Sequence, residues 1–197
     1  MPLDITNRQI EIIQASSKIL MDKGIAGLTT KNLALEMGFS ESALYRHFKD
    51  KEAIVSLLIH YLTENVKHRF EVILNSDANA EEKYLTLFKS QFQFFKENPY
   101  FIVIVLSDGL MDSSEVNKHS IENIIQTNAT SFKSVIEHGQ KNNVFISTIE
   151  ADYLVHFIMG AFRLQMLKWK LANFSFDIEK TGMKTMMELL TLIKKHQ

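Results

Sequence analysis

Proline occurs twice in this chain, at Pro2 and Pro99, and nowhere do apolar and polar side chains alternate with period two. Half-buried strands need that alternation, whereas a helix interior excludes proline, which lacks an N–H and clashes with the preceding turn. The chain is therefore expected to be all-α, with Pro99 standing where a new helix starts. Punctuation by caps and glycines divides it further. Ile12, Ile13, Ala15, Ile19 and Leu20 recur at helical spacing over Arg8 to Lys23, and Gly24 stops that helix. Thr29 can cap a short helix to about Met37, Gly38 ends it, Ser40 can cap another to about Phe48, and Asp50 a long one from Lys51 to about Leu74. Asn79 or Asp77 precedes a helix over Glu81 to Glu97, and the one permitted by Pro99 runs towards Gly109. Asp112-Ser-Ser-Glu115 and Ser147-Thr-Ile-Glu150 have capping-box spacing and open helices to about Gln140 and Leu171, and Asp177 caps a last one to about Lys195. Nine helices are predicted, with no repeat and no long linker.

Composition bounds the function. No apolar run approaches the ~20 residues of a membrane span, the longest being Phe101 to Leu106, so no membrane partner is expected. The N-terminal stretch carries charge within its apolar run and has no small-residue cleavage pattern, so no signal peptide is expected. The absence of cysteine removes disulfides and thiolate sites and suits a cytoplasmic protein. Net charge is −1, without the basic excess of many nucleic-acid binders, although residues 1–51 hold seven Lys+Arg against six Asp+Glu while the remainder is net acidic.

The segment from Thr29 to Ile54 concentrates the chemistry. Leu33, Ala34 and Met37 give the first short helix an apolar face, Leu44 and Phe48 do so for the second, and Gly38-Phe39-Ser40 leaves room only for a tight turn. Helices this short need the Arg8 to Lys23 helix to pack against, which makes a three-helix unit of the helix-turn-helix kind. With Leu44 and Phe48 inward, Glu41, Ser42, Tyr45 and His47 face solvent or a DNA groove, while Thr30, Lys31 and Lys51 sit at helix N-termini where they can meet phosphates. Solvated polar faces of a small bundle would share this composition; caps, glycine and polar face falling in one register favour DNA reading. Glu41 is either a base reader, accepting from cytosine N4, or a capping charge.

Gly27-Leu-Thr-Thr-Lys-Asn-Leu-Ala, Met37-Gly-Phe-Ser and Leu44-Tyr-Arg-His-Phe-Lys-Asp-Lys51 resemble the TetR family of bacterial transcription regulators over about 45 residues in register. Phe39 departs from the pattern, being larger than the usual Val or Ile, and so does the acidic Glu41. The resemblance implies a homodimer of all-α subunits with a DNA-binding domain at 1–50 and a regulatory, ligand-binding and dimerisation domain at 51–197. It also implies DNA contacts by Thr30, Lys31, Ser42, Tyr45, His47 and Lys51, and a repressor that binds a pseudo-palindromic double-stranded operator and is released by a small molecule.

Beyond Lys51 the resemblance is architectural, so the ligand is read from composition. Phe95, Phe101, Phe132, Phe157 and Met166 belong to segments rich in aromatic and Met side chains, which can line an apolar cavity or simply form core and interface. A small, mainly apolar ligand is expected, and no cofactor. Gly160 and Ala161 allow close helix approach and mark the expected dimer contact, a four-helix bundle formed by the last two helices of each subunit. His60, Glu64 and His68 share a helix face but span ~12 Å over two turns, too far to share one ion without help from another segment, so a solvated stripe or polar residues beneath the DNA-binding unit, and no metal, are expected. His156 and Arg163 can orient a ligand, or serve as a satisfied buried histidine and an interfacial arginine. No phosphate loop, nucleophile elbow or catalytic carboxylate pair is present, so the chain is not expected to be an enzyme. The rival readings are a helix-turn-helix protein-interaction module and an all-helical enzyme without DNA binding.

Overall fold

A computed structural model describes residues 6–46, 48–107 and 115–195. Among these residues there are nine α-helices and no strands, the only β feature being an isolated bridge between Phe145 and Lys194. The helices are α1 (Asn7–Gly27), α2 (Thr30–Met37), α3 (Glu41–Tyr45), α4 (Lys51–Leu74), α5 (Ala80–Glu97), α6 (Tyr100–Val105), α7 (Glu115–Lys141), α8 (Ala151–Leu171) and α9 (Ile178–Ile193). No helix among the described residues is long and apolar enough to cross a membrane.

Most boundaries follow from local hydrogen bonding. Thr6 and Gln9 form a reciprocal capping box at α1. Gly24, at φ 62° and ψ −168°, interrupts the α1 ladder where the sequence places its stop, although helical residues resume to Gly27. Asn79 and Glu82 form a second capping box at the start of α5, and Asp177 Oδ1 accepts from Lys180 N at α9. That main-chain bond and the Lys96 ammonium hold the Asp177 carboxyl below its ordinary pKa. The box expected at Ser147 does not form. α8 begins at Ala151 with Glu150 in the cap position and no side-chain cap bond. Gln140 Nε2 donates to both Ile146 O and Ile149 O at 2.9 Å and Ile146 N donates to Ile193 O, which hold that segment as an irregular turn before the helix begins. The expected Asp112 cap and the Gly109 helix end lie outside the described residues.

The chain forms two compact units. The first comprises the described residues of Met1–Asn65 and Asn98–Ile124, the second Val66–Glu97 and those of Ile125–Gln197, so α4 and α7 each contribute to both. In the first unit α1 packs on α2 and α6. Ile12, Leu20, Leu33, Leu44, Ile54 and Leu58 are all nearly or fully buried there, each worth about 1.5–3 kcal/mol of transfer free energy.

In the second unit α9 packs on α5 and α8. The core is aromatic: the Phe88 ring lies 4.4 Å from Phe132, 5.0 Å from Tyr84 and 5.7 Å from Phe162, between centroids. Tyr84 donates its hydroxyl to Met186 O, and burial pushes its phenol well above the ordinary range. Gly182 lets α9 approach α5, since a Cβ there would stand 2.3 Å from two Phe92 ring atoms. Gly182→Ala is therefore expected to cost about 1–3 kcal/mol. A lowered urea midpoint with an unchanged slope would register that loss, and an unaltered midpoint would contradict the tight crossing.

Candidate nucleic-acid interface

The two short helices take the form their turn chemistry requires. Thr29 Oγ1 accepts from Asn32 N to start α2, and Gly38 ends it in the left-handed region at φ 69°. Ser40 Oγ then accepts from Ala43 N to start α3. α3 ends at Tyr45, earlier than the sequence suggests, yet Phe48 N still donates to Leu44 O at 3.0 Å and continues the turn. Leu44 and Phe48 are buried, which turns Glu41, Ser42 and Tyr45 to solvent. His47, the remaining expected contact on this segment, lies outside the described residues.

The exposed groups form a connected surface. Thr30 Oγ1 donates to Tyr45 OH at 3.2 Å, joining the first residue of α2 to the last of α3. That places two hydroxyls at the N-terminus of α2, where unpaired main-chain N–H groups attract anions, with exposed Lys31 next in sequence. Ser42 Oγ lies 3.0 Å from Ser40 Oγ, and Glu41 stands in the first turn of α3. Lys51 is placed differently: its Nζ donates to Ile25 O at 2.6 Å in a half-buried position.

Two supporting contacts were not read from the sequence. The Arg8 guanidinium stacks 4.1 Å over the centre of the Phe39 ring, which accounts for a large side chain in the α2–α3 turn and ties the start of α1 to it. Asn32 Nδ2 donates to Gly27 O at 2.7 Å and fixes the link from α1 into α2. The signal for the first was the unusual size of Phe39 itself, whereas nothing local identifies the second.

The expected ligand residues are spread across the molecule. Phe95, Phe132 and Met166 are buried in the second unit, and Phe162 links the Phe95 ring to the Phe88–Phe132 pair. Phe101 is buried in the first unit and stacks on Tyr61. Phe157 is 54% exposed and turns away from the aromatic core. It belongs to a stripe along α8, with Tyr153, Gly160, Leu164, Leu167 and Leu171, at alternating offsets of four and three residues. Gly160 is exposed and Ala161 half-buried. His156 and Arg163 are exposed, so neither is a buried polar anchor. A polar cluster lies elsewhere in the second unit: half-buried Arg69 donates to Ser90 Oγ at 2.6 Å and Gln91 Oε1 at 2.8 Å, and Gln91 Nε2 donates to Asn128 Oδ1 at 2.6 Å. Burial lowers the Arg69 pKa to about 10. His60 and His68 are exposed, and among the described residues no three His, Asp or Glu side chains could hold a metal ion.

Comparison with known proteins agrees with this geometry. Residues 12–58 match the model for bacterial regulatory proteins of the tetR family, and residues 60–192 match that for the C-terminal region of YsiA-like proteins. The nucleoid occlusion factor SlmA of Aliivibrio fischeri is 27% identical over 172 residues, covering 87% of this chain and 88% of that protein. The corresponding factor of Colwellia psychrerythraea is 28% identical over 158 residues, or 78% and 80% of the two chains. Among solved structures, the regulator FadR from Bacillus subtilis in complex with stearoyl-CoA superposes with a TM-score of 0.79 at 18% identity, over 92% of this chain and 96% of that one. A TetR transcription regulator from Haloarcula marismortui gives 0.82 at 20% identity, over 96% and 100%. At such identities the structural likeness establishes the fold, while the two family matches between them span residues 12–192 except Ile59. A helix-turn-helix whose hydroxyl-bearing face is turned outward, continued by a matching C-terminal region, makes this chain a member of the TetR family of DNA-binding bacterial transcription regulators.

Proposed function

We propose that the chain works as a homodimeric repressor, with residues 1–50 as reading head and 51–197 as regulatory domain, released from a pseudo-palindromic operator by a small, mainly apolar ligand. The observation that carries the dimer is the α8 stripe. Tyr153 at 60%, Leu164 at 50% and Leu171 at 73% exposure form an apolar seam of heptad spacing, with Met187 and Leu192 exposed on neighbouring α9. A second copy crossing at Gly160 and Ala161 would cover it as a four-helix bundle and bring two heads to one operator. In the head, Thr30, Lys31 and Tyr45 are assigned to phosphate, Ser42 and Glu41 to base edges, with His47 following in sequence.

For the ligand, Phe95, Phe132 and Met166 are retained as apolar contacts, and Phe157 passes to the dimer seam. The fold shared with a stearoyl-CoA-bound FadR makes a long acyl chain the apolar group to test first, presented on its polar CoA carrier. The relatives named as nucleoid occlusion factors favour a second reading, in which the DNA-bound dimer acts in nucleoid occlusion and not at a promoter.

Three measurements test the proposal. Tyr45→Phe should weaken binding about three- to tenfold on every DNA sequence, and combining it with Thr30→Val should be less than additive because the two hydroxyls share a bond. Ser42→Ala should instead alter base preference in an in vitro selection. Unchanged affinity and preference would favour a protein-interaction role for this motif.

Gly160→Phe adds its side chain where an added Cβ meets nothing within 4 Å in a single subunit, so folding should survive while the seam is blocked. Sedimentation of the variant as a folded monomer at micromolar concentration is expected; an intact dimer would move the interface elsewhere.

Titrating stearoyl-CoA with and without operator should give an affinity about 5–150-fold weaker in the DNA complex, because coupling between two binding sites is reciprocal. Equal affinity in both states would remove ligand control by this class and favour the second reading.

A further inference from the structure

The second unit sets a cation beside its ring cluster. Arg69, half-buried on α4, holds its guanidinium 4.7 Å from the centre of the Phe94 ring, and the adjacent Phe70 meets Phe132 edge-on at 5.8 Å. Gln91, the amide that accepts from Arg69, is buried on α5 three residues after Phe88 and four before Phe95, so all three share a helix face. Asn128, which accepts from the Gln91 amide at 2.6 Å, stands four residues before Phe132 on α7. Phe88 and Phe132 in turn stack at 4.4 Å. An aromatic surface with a charged group at its edge is suited to an amphiphile: the rings take the apolar part, and the few polar groups fix the head.

Both acceptors that the guanidinium meets on α5, Ser90 Oγ at 2.6 Å and Gln91 Oε1 at 2.8 Å, are neutral. A carboxylate adds opposite charge to the same pair of bonds, and its two oxygens match the planar fork of the guanidinium. Burial lowers the Arg69 pKa to about 10, so the group is still a cation at neutral pH, and the water lost around it strengthens its attraction for an anion. We propose that the ligand of this domain is a fatty carboxylate, its two oxygens taking the Arg69 guanidinium in place of Gln91 Oε1 and its chain entering the ring cluster around Phe88 and Phe132. Gln91, displaced from Arg69, no longer holds its amide in place for Asn128, so the bond between α5 and α7 is the one that ligand entry rearranges. A neutral molecule with the same chain gains nothing from Arg69. The inference rests on the ligand-controlled reading above and narrows it from an apolar ligand to an anionic amphiphile.

The test titrates the full chain calorimetrically with laurate, lauryl alcohol and lauroyl-CoA, which share a chain and differ in the head. Laurate should bind the unaltered protein about tenfold more tightly than the alcohol, and more tightly than lauroyl-CoA, whose carboxyl is esterified. Arg69→Met should bring laurate to the affinity of the alcohol and leave the alcohol unchanged. Gln91→Glu, which sets a resident carboxylate within reach of Arg69, should likewise abolish the preference for laurate. Equal affinity for laurate and the alcohol in the unaltered protein would overturn the inference, as would an undiminished preference in either variant. Tighter binding of lauroyl-CoA than of laurate would assign the anion to the CoA phosphates and overturn it too. If Arg69→Met fails to fold, the comparison of heads on the unaltered protein and the Gln91→Glu variant decide. Failure of the ligand-controlled reading looks different: none of the three probes then binds the unaltered protein, and this inference falls with it. Failure of this inference alone leaves probes that bind without regard to the carboxylate.

Discussion

Helices of eight and five residues do not persist in water by themselves, because the first turn fixes several backbone dihedrals for a single hydrogen bond. α2 and α3 exist only while Leu33, Ala34, Leu44 and Phe48 are buried, with α2 packed on both α1 and α3. DNA reading inherits that dependence. Every outward group on the head, from Thr30 to Tyr45, owes its direction to an inward one a turn away, so the apolar face is the frame on which the polar face is displayed. The links at either end serve the same purpose: Arg8 on Phe39 closes the turn side, and Asn32 on Gly27 closes the junction side.

What the sequence makes legible is what neighbours decide. Caps at Thr29, Ser40, Asp50, Asn79 and Asp177, and the left-handed Gly38, depend on residues within four positions, and each appears where spacing puts it. Ser147 has the same local credentials and fails, where bonds from Gln140 and to Ile193, outside the window in which a capping box is read, hold the segment as an irregular turn. Composition also has a limit that geometry removes: Phe157 and Phe132 are equally aromatic on paper, yet one stands on the open face of α8 and the other is at the centre of a ring cluster. Bonds such as Lys51 to Ile25, or Arg69 to Gln91, join residues 26 and 22 apart and leave no trace in spacing. The compact units are likewise discontinuous in sequence, each drawing on separate stretches of chain.

The second unit combines two kinds of packing with different consequences. Rings around Phe88 fill space, and apolar contacts of this kind tolerate sliding better than they specify a register. The chain from Arg69 through Gln91 to Asn128 is directional: it joins residues of α4, α5 and α7 by bonds that a shift of one helical turn would break. A guanidinium partly withdrawn from water remains charged at neutral pH even with its pKa lowered to about 10, so separating it from its partners while buried would be costly. The aromatic contacts thus supply apolar burial, and the polar chain selects one arrangement among those that burial alone would allow.

Selection of one arrangement is also what ligand control requires. A ligand shifts a regulator only by the difference between its affinities for two states, and a continuously deformable core would spread that difference over many small displacements. A core held by a polar chain resists small displacements, because each stretches charge-assisted bonds without replacing them. On the proposed reading, a ligand would act through a second arrangement in which those donors and acceptors find new partners. α4 and α7 each contribute residues to both units, and in the unit that carries the reading head Ser56 Oγ donates to Asn117 Oδ1 at 3.0 Å. On the proposed reading, the buried polar groups, more than the aromatic rings, would supply the element with two discrete arrangements that ligand control needs.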